Sequence, residues 1–355
     1  METPIDLSIV VPAYNAETFL EPLFSSFLAM AGDFSRCEVI VVNDGSTDAT
    51  PALVKQWIDR GQLPLRLVTT PGLGPGQARE IGARSAQAPW VALVDADEQF
   101  SPGWLRAALE FVEHPGEAVG CEGVVEICDR DQISLFTHQT QSLVPGRYLT
   151  ANLILKRDRV RFYKGYGRRF YFREDSDLAF QLLADGEAIA HSPALRLYHP
   201  PLPAVWWKPL RLALRYQYDA LLAYRFPRCY WAEVDVHLGI PHLRLLLLLL
   251  CSLLQIAGIG FLVKSWGSGD SVWLPLGLLA FSPFLSLAPV LLYVPPQQIR
   301  LTQIPPALLV HQLVPLLTLG AWVYGFWRHR GEPRYRPITA ESSAASGGSK
   351  FPGGG

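Results

Sequence analysis

Asp95, Asp97 and Glu98 put three carboxylates into four residues, directly after the apolar run Trp90, Val91, Ala92, Leu93, Val94. Two carboxylates at i and i+2 with one small residue between them can close on a single hard cation if the chain turns after Asp95. Oxygen ligands in a partly open site suit Mg2+ or Mn2+ held jointly with substrate phosphates. The same residues also make an ordinary solvated turn in which Glu98 caps a helix. A buried strand aimed at the turn favours the metal reading, because ligands of parallel sheets bind beyond the strand carboxyl ends.

Such a strand needs neighbours, and the sequence supplies them. Residues 7–11 (LSIVV), 38–42 (EVIVV), 65–68 and Trp90–Val94 are short β-branched or aliphatic runs bounded by turn residues, the pattern of strands buried on both faces. Helical stretches at residues 16–29, 50–60 and 76–86 separate them, with Thr47 or Asp48 placed to cap the second and Pro51 tolerated in its first turn. This alternation predicts a parallel α/β sheet with helices on both faces. Tyr14-Asn15, Asn43-Asp44 and Asp95/Asp97 follow three strand ends and should converge on one crevice. Beyond Pro102 the pattern loosens: residues 119–127 and 150–156 read as strands, and residues 176–184 as a helix stopped near Gly186.

The apolar excess lies elsewhere. The chain of 355 residues is only 18% charged, and its 31 basic and 32 acidic side chains give no hint of a nucleic-acid partner. Residues 245–263, 271–294 and 304–327 are each apolar enough, at about 20 residues, to cross about 30 Å of hydrocarbon. No such run and no signal peptide precedes them, so residues 1–204 are expected to stay in the cytosol as a catalytic domain. Five scattered cysteines without a C-x-x-C pair fit a reducing compartment. Residues 205–242 form a juxtamembrane region whose Lys208, Arg211 and Arg215 share a helical face ringed by Trp206, Trp207 and Leu side chains, suiting a helix at the headgroups or one packed on the catalytic domain. Residues 243–327 are expected to hold three spans, and residues 328–355 a disordered tail. Three spans place the C-terminus outside, yet Arg328, Arg330, Arg334 and Arg336 argue for inside, so that one of the Pro-rich segments could be re-entrant.

Six ordered segments, "SIVVPAYNAETFLEPLFSSF", "EVIVVNDGSTDAT", "GPGQAREIGA", "WVALVDADEQFSPGWL", "TANLILKRD" and "REDSDLAFQLLADG", resemble glycosyltransferase family 2 over roughly residues 5–200. The resemblance implies a GT-A fold, which is Rossmann-like and mainly parallel, followed here by a C-terminal transmembrane helical region. It also implies a nucleotide-diphospho-sugar donor, a divalent metal and inversion at the anomeric carbon. Transferred by position, Pro12, Ala13 and Tyr14 border the base and ribose, and Asp44 bonds the base, most often uracil. Arg79 lies near the base and diphosphate, Asp95 faces the ribose or the metal, and Asp97 ligates the metal. His199 completes the metal shell. Asp175 of the Glu174-Asp175 pair is the general base that takes the acceptor hydroxyl's proton, opposite the leaving group. The residues alone also allow a helix cap at Asp175 or Ser176, and Asp177 stands two positions away as a substitute base. Two departures matter. Glu80 stands where the family has Asn, and Gly165-Tyr166-Gly167-Arg168-Arg169 replaces a common G-G-F-D-E segment.

The basic stretch 157–173 carries seven Lys or Arg against one acid and suits either a diphosphate or phospholipid-linked ligand, or a solvated face beside a membrane. Together these features predict a multi-pass inner-membrane enzyme with a cytosolic catalytic domain, moving a sugar from a UDP-sugar to a lipid or lipid-linked acceptor with Mg2+ or Mn2+. A processive polysaccharide synthase would carry a Q-x-x-R-W-type segment before the first span, and "LRYQYDALLAYRFPRCYW" lacks it. A non-catalytic nucleotide-sugar binder would not need Asp44, Asp95, Asp97 and Asp175 together.

Overall fold

The structure, a computed structural model, describes residues 4–30, 34–137, 140–166, 172–234, 242–268, 271–291, 294 and 296–337. Arg168, Arg169 and the tail beyond residue 337 lie outside the described residues, as does the segment 235–241 of the juxtamembrane region.

The first half alternates as the sequence predicts: β1 (Leu7–Ala13), α1 (Glu17–Ala29), β2 (Cys37–Asn43), α2 (Thr50–Arg60), β3 (Leu65–Thr69), α3 (Pro75–Ser85) and β4 (Trp90–Val94). β1 continues through Pro12 because its ladder with β4 ends at Val10, so the missing N–H falls beyond that pairing. Asp48 supports the second helix from just outside it: its Oδ1 accepts the Thr50 N–H at 3.0 Å. Then come β5 (Gln99–Phe100), α4 (Trp104–Glu113), β6 (Ala118–Ile127), β7 (Asn152–Lys156), α5 (Glu174–Ala184) and β8 (Ala188–His199).

One eight-stranded sheet results, in the order β3-β2-β1-β4-β7-β6-β8-β5. β3, β2, β1 and β4 run parallel, as do β6 and β8, whereas β7 is antiparallel to both its neighbours and β5 to β8. The sheet is thus mainly parallel, as expected, with its antiparallel pairings confined to the second half. β8 went unread because Pro193 interrupts it and much of its length is only half buried; a register shift opposite Gly123 and Val124 accommodates the break. Alternate residues of β1 face opposite cores. Leu7, Ile9 and Val11 meet α1, α2 and α4 through Leu20, Phe24, Val54 and Trp104. Val10 meets α3 on the other face, where a Cβ on Gly82 would lie 2.4 Å from a Val10 methyl, so only glycine lets the helix approach this closely.

The second half is helical: α6 (Lys208–Ala213), α7 (Tyr216–Arg225), α8 (Pro227–Glu233), α9 (Leu243–Ser268), α10 (Trp273–Leu291) and α11 (Ile304–Arg328). Among the described residues, three stretches, Leu243–Ser268, Trp273–Leu291 and Leu301–Arg328, are long and apolar enough to cross a membrane. The region between Val205 and Phe226 is not one helix along the headgroups. It breaks into α6 and α7, and α7 is buried against α11 with its Asp219 and Arg225 turned inward.

Candidate active site

Three strand ends and one helix start meet at the carboxyl edge of the sheet. The turns after β1 and β2 are laced together: Asp44 N–H donates to the Ala13 carbonyl at 2.8 Å, and Asn15 N–H to Ser46 Oγ at 3.0 Å. Asp44 is buried, and its carboxylate accepts the Thr70 hydroxyl, the Leu73 N–H at 2.7 Å and the Gly74 N–H at 2.7 Å. It therefore shapes the turn between β3 and α3. Gly45 sits under that turn with φ of 77°, and a Cβ there would lie 2.9 Å from Gly72 N. Ala13 is buried, Pro12 half-buried, and Tyr14 projects from the rim with 63% of its surface exposed, free to meet a planar ligand.

The acidic turn is positioned by the shortest strand. β5 pairs Gln99 with Tyr198 and Phe100 with Leu197, which pins residues 95–98 against the last residue of β8. Asp97 Oδ2 consequently lies 3.3 Å from His199 Nε2. The buried Glu98 closes the turn by accepting the Asp95 N–H at 2.9 Å, and it is not the helix cap that its position also allowed. Burial pushes the Glu98 pKa well up, helped by the charges of Asp95 and Asp97. Burial alone would raise the Asp97 pKa, but the hydrogen bond and charge of His199 bring it below the usual range.

Asp95 turns instead to Arg79, which is buried on α3 and donates Nη2 to Asp95 Oδ1. Desolvation would lower the Arg79 pKa, but the charges of Asp95, Glu174 and Asp175 raise it. Arg79 is thus the cation that bonds the acidic turn and whose charge also faces the acids at the start of α5. Its neighbour Glu80, the departure from the family pattern, accepts the Phe162 N–H at 2.8 Å and anchors the segment opposite.

α5 starts abruptly. Arg173 takes a left-handed conformation, φ 73°, strained for a residue with a Cβ, and its Nε donates to Asp219 of α7 at 2.7 Å. Glu174 and Asp175 become the first helical residues, so neither Asp175 nor Ser176 is the cap; Asp175 Oδ1 accepts the adjacent Ser176 N–H at 2.7 Å. Burial lifts the Glu174 pKa to about 7, with the Asp175 charge adding and Arg79 opposing, and burial also raises Asp175. Glu174 floors a crevice between the 73–77 turn and residues 162–166. Asp177 cannot substitute as the base. It is fully buried, accepting Arg225 Nε at 2.6 Å, Tyr166 hydroxyl at 3.0 Å and Gln181 Nε2 at 2.8 Å. Sequence reading missed Arg225 as its partner; the signal was a lone arginine closing the apolar run ALLAYR.

The described part of the basic stretch is largely spent on structure. Arg157 Nη1 donates to the Ala86 carbonyl at 2.6 Å, Arg159 pairs with Glu187 at 2.6 Å, and Arg161 Nε donates to the Asp158 carbonyl at 3.1 Å.

The donors fit a divalent cation. Adjacent ligands at about 2.1 Å from an octahedral ion stand about 3.0 Å apart, close to the separation of Asp97 and His199. His199 Nδ1 donates to the Pro200 carbonyl at 2.7 Å, so release of the Nε2 proton that His199 shares with Asp97 would free an Nε2 lone pair for a cation. Among the described residues no three acidic, His or Cys side chains are already gathered round one point. Asp95 is held by Arg79, which leaves Asp97 and His199 as the pair that would hold the cation.

Residues 8–175 match the model of Glycosyl transferase family 2. The succinoglycan biosynthesis protein ExoO of Rhizobium meliloti is 32% identical over 148 residues, 41% of this chain and 41% of its own. The poly(ribitol-phosphate) beta-N-acetylglucosaminyltransferase TarS of Staphylococcus aureus is 30% identical over 106 residues, 30% of this chain and 18% of its own. The chain thus spans less than half the length of these relatives. Among solved structures, the mannosyltransferase PcManGT of Pyrobaculum calidifontis, in complex with GDP-Man and Mn2+, superposes with a TM-score of 0.55 at 17% identity, covering 92% of this chain and 88% of that one. That likeness establishes the shared GT-A fold.

Proposed function

From the premise that residues 8–175 are a glycosyl transferase family 2 domain, we propose that the chain is a membrane-anchored, divalent-metal-dependent, inverting glycosyltransferase. It takes a nucleotide-diphospho-sugar, with uracil the base first expected, and glycosylates a lipid or lipid-linked acceptor at the cytosolic leaflet. The observation that carries this reading is the convergence of Asp97–His199, Asp95–Arg79 and Glu174–Asp175 at one edge of the sheet. GDP-Man and Mn2+ in the PcManGT structure support a nucleotide-sugar donor and a metal, and the apolar helices support the anchor.

Each group has a task. Tyr14 and the turns after β1 and β2 border the base and ribose, with Asp44 fixing the neighbouring turn and offering its carboxylate edge to the base. Asp97 and His199, with Asp95 beside them, would hold Mg2+ or Mn2+, whose charge offsets that gathering on the departing diphosphate. Arg79 balances the acids and keeps Asp95 oriented. Asp175 accepts the acceptor hydroxyl's proton as the oxygen attacks the anomeric carbon. Glu174, its pKa lifted to about 7, is partly protonated at neutral pH, which lessens the negative charge beside Asp175.

The test is a screen of UDP- and GDP-sugars against membrane lipid extracts with purified protein and Mn2+ or Mg2+. Metal-dependent transfer to a lipid fraction is expected. Absence of both transfer and sugar-nucleotide hydrolysis across the panel, in folded protein, would overturn it.

A further inference from the structure

α11 has the length and apolarity of a span, but both its ends rest on the catalytic body. At its start, Ile304 and Ala307 pack into a cluster with Ile127, Ile133, Leu135 and Phe136. Ile127 is the register partner of His199. At its end, Gly325 lies so close to α7 that a Cβ would sit 2.3 Å from the Gln217 carbonyl oxygen. The chain beyond then returns to the catalytic domain: Tyr163 donates its hydroxyl to Glu332, and Tyr335 donates to Asp185 at 2.7 Å. A helix of this length runs about 37 Å, and one that crosses a bilayer must put its ends on opposite sides. A single catalytic domain occupies only one.

The faces of α11 agree. Ala307, Val310, Val314, Thr318, Ala321 and Gly325 form the buried stripe. Leu309, Leu313, Val323 and Trp327 form the opposite one, 69%, 49%, 55% and 61% exposed, without a charge among them. α9 and α10 differ in placement. They make an antiparallel pair, joined midway where Gln255 Nε2 donates to Ser282 Oγ at 3.0 Å and at the far end where Ser265 Oγ donates to the Ser271 carbonyl at 3.3 Å. The arginines distinguish the topologies as well. Two crossings leave Arg244, Arg300, Arg328, Arg330, Arg334 and Arg336 together on the catalytic side, with Lys264 near the far turn. Three crossings would send the last four across, against the bias for cytosolic Lys and Arg.

We propose that only α9 and α10 span, and that α11 lies in the plane of the cytosolic leaflet, its ends tied to the catalytic domain, its inner face on α7 and the catalytic-side halves of α9 and α10, and its outer face in phospholipid. This rests on the membrane-anchored reading above. Its consequence is that the membrane surface reaches the strand paired with His199, so an acceptor hydroxyl enters the site without its lipid leaving the leaflet.

The experiment places an epitope tag after Ser268, after Gln298 or at the C-terminus of the otherwise full chain and probes sealed spheroplasts before and after permeabilisation. The first tag should be reached from outside, and the other two only after permeabilisation. A photocrosslinking amino acid at position 313 should capture phospholipid. A C-terminal tag reached from outside overturns the proposal and leaves the anchor standing, and so does failure to capture lipid at position 313. Release of the untagged protein by alkaline carbonate overturns the anchored reading and the proposal together.

Discussion

The tasks proposed for Asp97 and Asp175 differ, and conservative substitutions separate them. Asp97→Asn keeps the shape of the turn that β5 and Glu98 hold but removes an anionic oxygen from a shared cation. Metal-dependent binding of nucleoside diphosphate should weaken at least tenfold in calorimetric titration while the fold persists; unchanged affinity would remove Asp97 from the metal. Asp175→Asn should leave donor binding and melting temperature near the parent values and lower turnover by about 10²–10⁴-fold, the usual contribution of a positioned base. Because the helix begins at Glu174 with Arg173 before it, loss of a cap cannot explain such a fall. Glu174 offers a pH test. Its pKa is near 7 when folded against an ordinary 4.5, so between those values the unfolded chain binds fewer protons and stability drains away as pH rises. Glu174→Gln lacks this group, and its melting temperature relative to the parent should climb from about pH 4.5 to above pH 7. A flat difference across that range would mean that Glu174 is not buried as described.

At the scale of elements, the decisive joint is α5 on α7. Asp177 is buried with Arg225, and Arg173 with Asp219, so two ion pairs lock the helix bearing Asp175 to the helix that packs on α11. Removing one partner of a buried pair strands the other, at about 3–5 kcal/mol. Arg225→Met should therefore lower the melting temperature sharply and reduce turnover, since the start of α5 loses its brace. Asp177→Asn added to Arg225→Met should recover much of the stability, because no charge is left stranded. Thermal unfolding of both variants in detergent measures this, and full additivity of the two losses would show that they do not act as a pair. Much of this layer was readable in advance. The β-branched runs, the spacing of the helices and the acidic turn all appear in the sequence, because a strand buried on both faces must be apolar and its end must be polar. Residues 188–199 were not, since Pro193 and half-burial erase a strand's alternation.

For the whole molecule, the seam between α9, α10 and α11 is polar where its surroundings are not. Gln255 Nε2 donates to Ser282 Oγ at 3.0 Å and to the Gln312 carbonyl at 2.7 Å. Hydrogen bonds between helices in lipid contribute about 0.6 kcal/mol each and at most about 1.7. Gln255→Leu should therefore lower stability in detergent by about 1 kcal/mol without abolishing transfer. A total loss of transfer with the fold intact would mean that the seam itself handles the acceptor.

The sequence by itself determined the acidic turn and the apolar runs, since both are local: acids at the end of a buried strand, and stretches of about 20 uncharged residues. The tertiary structure decided what depends on residues far apart. It paired Asp97 with His199 across β5 and β8, which lie 102 positions apart at those residues, and turned Asp95 to Arg79. It withdrew Asp177 into a pair with Arg225, and it laid both ends of α11 on the catalytic body. Periodicity reports which face of an element is buried and how long the element is. It says nothing of which distant surface does the burying, because that is fixed only when the sheet closes and its edges find their partners.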